Sequence, residues 1–456
     1  MSIDINKRNE RLTAVRIFLT LIIVYAFFTN DYLTTNDASR FSLTAAVVEN
    51  GSAEITDILP VVISDGWKIK DFAVKDNRIY SDKAPFGSFI AIPPYYIFTR
   101  LGFSLPWVIY FVSLLTAGML SAATALLIFY AISIWKRDLV LRTTIALTYG
   151  LGTMALFYST VFFSGAITAF LAFLSFYLLT TGELKNNSVV YQLTGCFVAG
   201  LIMLSDYYAG ISSVCIIIYG LFSYRRNRLL MVLSFMIPIA LLCLYNDIVF
   251  GSPFNLSYRF SNLYDQLHSN GIFGLTLPGI DNLKRMIVIL FSVKNMQWGF
   301  FFSNAVVFFA ILSMRKYILF RKQYILIIAM AIGYLYLNSC ESWFDAYSAR
   351  FFMPLLPFLM LPLMSYDFNK RLNRNIYYFV LGFSVIVNVI GTDRFLPERV
   401  WDARPGMQNI IGILFANRNI NFEIGYLSLL VLIMIIIPIW LVPFIVQKTK
   451  EKAEQI

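Results

Sequence analysis

Apolar residues recur along this chain in long runs separated by polar breaks, from the first run after Arg11 to the last before Lys448. Runs of roughly 17 to 25 apolar residues are each long enough to cross ~30 Å of hydrocarbon as a helix. The pattern predicts spans near 15–30, 104–135, 139–157, 160–181, 189–205, 209–223, 230–250, 296–314, 323–340, 351–366, 376–391 and 424–446. The breaks are unequal. On one side they are short, and on the other they are long, at 31–103, 251–295, 341–350 and 392–423. The expected fold is therefore an all-α polytopic membrane protein of about 12 transmembrane helices. Residues 1–456 read as a single membrane domain with no separate soluble domain.

The first long break is the most polar stretch. Within 38–50, Phe41, Ala45 and Val48 share one helical face while Arg40, Thr44 and Glu49 lie elsewhere, which predicts an interfacial helix with Asp37 as its N-cap. A turn at Asn50 and Gly51 ends it. "SDGWKIKDFAVKDNRIYSDKAP" then alternates polar and apolar residues as a short hairpin does. "FGSFIAIPPYYIFTRLG" is too short and too interrupted by proline to span, and predicts a second interfacial segment.

Composition agrees with the pattern: 58% of the 456 residues are hydrophobic, 14% are charged, and the mean hydropathy is +0.68. A soluble chain carries about 25% charged residues. The net charge of +11 would suggest nucleic acid if position were ignored. Position excludes it. Lys7, Arg8, Arg11, Arg225, Arg226, Arg228, Arg315, Lys316, Arg321, Lys322, Lys370, Arg371, Arg374 and the lysines from 448 to 452 all fall on the short-loop side. Basic short loops stay in the cytoplasm. Both termini are thus expected in the cytoplasm of a cell (inner or plasma) membrane protein, with the long loops extracytoplasmic. The first span has no small-residue cleavage site after it and should remain as a signal anchor. Cys196, Cys215, Cys243 and Cys340 lie in or beside spans, as small apolar residues do.

The candidate chemistry is narrowed by absence. His268 is the single histidine, which removes Ser–His–Asp and Cys–His catalysis and histidine-rich metal sites. The sequence has no GxGxxG, no P-loop and no Asp-x-Asp. Carboxylates, cations and aromatics on the long-loop face remain. Asp37 can be a plain cap or a general base for an acceptor hydroxyl. Tyr80, Asp82 and Lys83 precede the second interfacial segment, and Lys83 can be a surface charge or a phosphate ligand. Asp206 and Tyr207 lie between two spans, and Tyr258 and Arg259 at another helix end. Glu341, Asp345 and Tyr347 crowd a ten-residue loop that ends at Arg350, whose fork can anchor the interface or grip a phosphate.

"NDASRFSLTAAVVENGS" followed by "YSDKAPFGSFIAIPPYYIFTRLG" resembles the first loop of the GT-C glycosyltransferases, with the protein O-mannosyltransferases and the lipid A aminoarabinose transferases most alike. "FGSPFNLSYRF" and "WFDAYSARFFMPLLPF" resemble further segments of prokaryotic members. The resemblance implies transfer of a sugar, with inversion, from a polyprenyl-phosphate carrier to a glycan, lipid or protein acceptor at the extracytoplasmic face. It implies Asp37 as the base, Arg40 and Lys83 on the donor phosphate, and Arg350 assisting its departure. Ala38 stands where the family has its second adjacent carboxylate. A divalent cation, Mg²⁺ or Mn²⁺, is the one cofactor left open. Two other readings fit the residues: a transporter or flippase for a lipid-linked glycan, and a glycan polymerase or ligase of the O-antigen type.

Overall fold

The computed structural model describes residues 2–29, 31, 33–62, 71–263, 275–277, 279–292, 298–317, 320–340, 347–394 and 432–440. The chain enters through α1 (Ser2–Phe28) and a loop helix, α2 (Thr35–Asn50). Five long helices follow: α3 (Leu105–Ser133), α4 (Ser164–Leu184), α5 (Arg228–Phe250), α6 (Arg321–Cys340) and α7 (Arg371–Arg394). Among the described residues, six helices (α1 and α3 to α7) are long and apolar enough to cross a membrane. Each covers about 30 Å or more at 1.5 Å per residue. The outward stripe of α5, through Leu229, Leu233, Ile237, Leu241, Leu244 and Ile248, is exposed and wholly apolar. Water would penalise such a face, and hydrocarbon does not. The protein is an α-helical membrane protein.

Four further apolar helices are shorter: Leu139–Leu151, Val189–Ser205, Gly210–Ser223 and Leu356–Ser365. Full spans are expected there from the sequence, but helices of this length reach only about 15–25 Å. Local chemistry explains the shortening. Asp138 opens the first of them by accepting from the backbone N–H groups of Val140 and Leu141 at 2.9 and 3.1 Å. Gly152 then closes it after thirteen residues. Pro354, Pro357 and Pro362 divide the 351–366 run into two 3₁₀ turns, Arg350–Phe352 and Leu361–Ser365, around one helical turn, Leu356–Met360. The 296–314 run divides at Asn304 into Phe300–Ser303 and Val307–Tyr317. Of the twelfth expected span only residues 432–440 are described, and the C-terminus lies outside the described residues.

The first loop holds the only sheet among the described residues. Strands β1 (Ala73–Lys75) and β2 (Arg78–Tyr80) pair antiparallel, with Asp76 and Asn77 both at positive φ, 51° and 60°, in the turn. Two consecutive left-handed residues give the tight turn whose twist suits a hairpin. The expected hairpin is thus present. The α2 helix departs from expectation twice. It begins at Thr35, so Thr34 is the N-cap and Asp37 is the third helical residue. It also does not float at a lipid surface, because every residue from Asp37 to Ala46 is buried. The loop folds back over it: Leu43 and Ala46 meet Ile55 and Leu59 on one side, and Phe41 and Ala45 meet Tyr95 and Ile109 on the other. The second segment, Phe86–Ile90 and Ile92–Arg100, does leave Phe89, Tyr96 and Ile97 exposed, as an interfacial helix would.

The membrane helices approach closely where side chains are smallest. A Cβ built on Gly200 would lie 2.5 Å from the carbonyl oxygen of Phe235 and 3.0 Å from Cγ of Pro238, the proline inside α5. Neither is a flexible tip that can yield. Gly200→Ala should therefore lower stability by about 1–3 kcal/mol, read as a lower thermal-unfolding midpoint of the detergent-solubilised protein. An unchanged or raised midpoint would contradict this packing.

Candidate functional site

The two halves of the first loop are stitched together by short polar side chains. The Ser88 hydroxyl donates to the Arg40 carbonyl at 2.9 Å, and the Thr44 hydroxyl donates to the Ser88 carbonyl at 2.9 Å. Ser39 lies 3.1 Å from Ser81 and donates to Asp82 at 3.2 Å. The Ser257 hydroxyl donates to the Asp82 carbonyl at 2.7 Å, which brings the 257–260 turn to the same point.

At the centre of this seam Lys83 lies between two carboxylates, with Nζ 2.7 Å from Asp71 and 3.1 Å from Asp82. All three side chains are buried. Burial, and then the negative charge of Asp71, pushes the Asp82 carboxyl up to about 7. Burial acts on Asp71 too, but the Lys83 ammonium and the hydrogen bond from Asp82 outweigh it and hold Asp71 below its ordinary value. The ammonium fills the space between the two carboxylates. Among the described residues no three His, Cys, Asp or Glu side chains converge.

Lys83 also faces a cavity of about 770 Å³, counting its open mouth. Arg40, Asp206, Tyr258 and Arg350 line it, so five residues expected from widely separated segments meet in one place. Asn36, Tyr158, Ser164, Thr168, Tyr208, Tyr334 and Phe351 complete most of the wall. Arg40 is only 4% exposed and its Nη2 donates to Ser164 at 3.2 Å. Its Nε and Nη1 are buried with no hydrogen-bond partner among the described residues. Ser164 passes the contact on, donating to Asp206 at 2.7 Å. The start of α4, at Ser164 and Gly165, opens onto the same cavity, and no side chain caps it. Unmatched guanidinium N–H groups beside a free helix N-terminus form an anion-accepting wall. The Arg350 guanidinium lies 4.8 Å over the Phe351 ring at the other side.

Asp37 sits one turn before Arg40 and is 1% exposed, and its neighbour Asn36 lines the cavity where Asp37 does not. The Thr34 hydroxyl donates to it at 2.6 Å. Burial pushes its carboxyl up to about 7, against the pull of that hydrogen bond, of the Thr34 and Asp37 backbone N–H groups, and of Arg40. The remaining expected residues lie off the cavity wall. Tyr80 packs edge-on against Phe250 at 5.9 Å. Tyr207 pairs with Ser257 at 3.2 Å while its neighbour Tyr208 faces the cavity. Arg259 is exposed and donates to Asn255 at 3.0 Å. Tyr347 is fully buried and turned away. Glu341 and Asp345 lie outside the described residues. Asp71, Ser164 and Tyr158 are additions that reading the sequence did not anticipate.

No family model and no curated protein matches the chain. Two solved structures are similar in trace. One is the archaeal oligosaccharyltransferase AglB from Archaeoglobus fulgidus in complex with an inhibitory peptide and a dolichol-phosphate, at 12% identity and a TM-score of 0.48, covering 83% of this chain and 54% of that one. The other is the Archaeoglobus fulgidus oligosaccharyltransferase in the apo form, at 13% identity and a TM-score of 0.44, covering 92% of this chain and 59% of that one. This chain thus spans little more than half the length of either.

The raised Asp37 value fixes a sign. Folding holds the proton on Asp37 over about pH 4 to 7, whereas the unfolded chain has already released it at the bottom of that window. This group therefore subtracts stability as pH rises through the window. Asp37→Asn removes the term and keeps an oxygen for Thr34. The variant should gain stability relative to the parent between pH 4 and pH 7, measured as paired unfolding midpoints. Parallel curves would contradict it.

Proposed function

We propose that this protein is a GT-C-type membrane glycosyltransferase that moves one sugar from a polyprenyl-phosphate carrier to an acceptor at the extracytoplasmic face. The observation that carries this reading is Arg40: a buried cation with two unmatched donor atoms at a cavity wall, beside the open N-terminus of α4. A buried charge left without partners costs several kcal/mol, so a protein keeps one where an anionic ligand supplies them. A lipid phosphate lying at headgroup depth is such an anion, and the membrane spans bring it there.

In the proposed reaction an acceptor hydroxyl oxygen attacks the anomeric carbon from the side opposite the phosphate. The bond from that carbon to the phosphate oxygen breaks, and its electron pair leaves with the phosphate. Arg40 and Arg350 meet the charge that grows there, and Lys83 contributes less because Asp71 and Asp82 already offset it. The acceptor's proton goes to a carboxylate. Asp37 is the base implied by the resemblance, and a value near 7 suits a group that accepts a proton at neutral pH. Asp206 is the second reading, because its carboxylate already lines the cavity. About twelve membrane-embedded segments, some of them too short to cross alone, and both termini cytoplasmic belong to the same proposal.

Variants tested in cells lacking the native protein separate these readings. Loss of the general base is typically worth ~10²–10⁴ in rate. Asp37→Asn should leave surface glycans or lipid-linked intermediates one sugar short by mass spectrometry, at normal protein level. Full activity of Asp37→Asn with loss in Asp206→Asn moves the base to Asp206. Complete glycans retained inside the cell would instead indicate a transporter.

A further inference from the structure

Arg350 is held from behind by a hydrogen-bonded assembly that meets the cavity only through Tyr158. The chain reaches Arg350 through Tyr347, Ser348 and Ala349, all buried. The Tyr347 hydroxyl donates to Asn388 Oδ1 at 2.9 Å, and the Tyr347 carbonyl accepts from the Tyr158 hydroxyl at 2.7 Å. Ser348 is in the left-handed region at φ 56°, which a serine rarely adopts, and its hydroxyl accepts from Ser303 at 2.6 Å. The Arg350 N–H then donates to the Ser348 carbonyl at 3.1 Å as the 3₁₀ turn begins.

Asn388, on α7, is the hub. Its Nδ2 donates to the Ser303 and Ser384 carbonyls, both at 2.7 Å, which leaves Oδ1 to receive Tyr347. One amide therefore fixes both supports of the segment: the Tyr347 hydroxyl, and the turn whose Ser303 steadies Ser348. A second observation on the same helix agrees. A Cβ on Gly391 would fall 2.4 Å from the Tyr347 ring, so α7 carries a seat shaped to that ring one turn beyond the amide that grips its hydroxyl.

We infer that Asn388 is a positioning residue for Arg350: it acts through Tyr347 and Ser303 to hold the guanidinium at the cavity wall, though it does not itself line the cavity. The inference deepens the reading in which Arg350 meets the leaving phosphate, and its catalytic consequence rests on that reading. Polar groups buried inside a helix bundle often serve only to join helices, and the test has to separate that role from positioning.

The experiment measures two quantities on the full-length protein and on the Asn388→Ala, Tyr347→Phe and Arg350→Ala variants. The first is the rate at which phenylglyoxal modifies Arg350, read by mass spectrometry, with exposed Arg259 as internal reference. Asn388→Ala and the milder Tyr347→Phe should change the Arg350 rate severalfold and leave Arg259 alone. An unchanged Arg350 rate in folded Tyr347→Phe protein overturns the inference, whatever the protein's activity. The second is sugar transfer. Asn388→Ala should lower kcat about tenfold with little change in donor KM, since misplaced charge is felt most as the phosphate leaves. That loss should disappear in the Arg350→Ala background. Additive losses would mean that Asn388 acts on stability alone and would overturn the inference. Shifted Arg350 reactivity with no transfer in any variant, native protein included, would uphold the positioning and refute the glycosyltransferase reading.

Discussion

The Lys83 ammonium between Asp71 and Asp82, at 2.7 and 3.1 Å, is the contact on which the first loop depends. Three ionisable groups taken out of water are costly, and their mutual attraction offsets the cost only when geometry is close and the remaining lone pairs are used. Here they are used. The Ser39 hydroxyl donates to one Asp82 oxygen, and Lys83 donates to the other and to Asp71. Removing one partner would leave an uncompensated charge between α2 and the segment that begins at Phe86. The described part of the loop therefore folds back over α2, which stays buried from Asp37 to Ala46.

The same contact decides which cations are left for a ligand. The two carboxylates offset the Lys83 charge, and the positive field at the cavity comes chiefly from Arg40 and Arg350. Asp206 opposes Arg40 from beyond Ser164 but leaves its Nε and Nη1 unmatched. The start of α4 adds the partial positive charge of its unsatisfied N–H groups. An anion entering this cavity meets donors already in position, with little reorganisation to make. A neutral ligand would leave the guanidinium as it is.

The helices were legible in the sequence because hydrocarbon demands long apolar runs, and the hairpin was legible from its alternation, although its turn at Asp76 and Asn77 was not singled out. Helix lengths were less so: three prolines between 354 and 362 shorten an apolar run without changing its hydropathy. The start of α2 was ambiguous because Thr34, Thr35, Asn36 and Asp37 can all cap a helix. Arg40, Lys83, Asp206, Tyr258 and Arg350 stood out as polar residues at the edges of apolar runs, and all five line the cavity. Asp71 was missed because it lies in an alternating stretch where a charge reads as solvent-facing. Ser164 and Tyr334 were missed because they sit inside runs that read only as membrane helix, and Tyr158 because it falls in the short break between two such runs. Tyr347 looked like a loop aromatic, and no local pattern reveals that Asn388 and Gly391, some forty residues later, turn it inward.

In the proposed reading the cavity receives a lipid phosphate on Arg40. Equilibrium binding of polyprenyl phosphate to the purified protein and to Arg40→Gln tests it most directly, since glutamine keeps a donor for Ser164 but loses the charge and the fork. Hydrogen bonds to a charged group contribute about 1.5–3 kcal/mol, so affinity should fall by roughly tenfold to a hundredfold. Equal affinity in the two folded proteins would contradict the account.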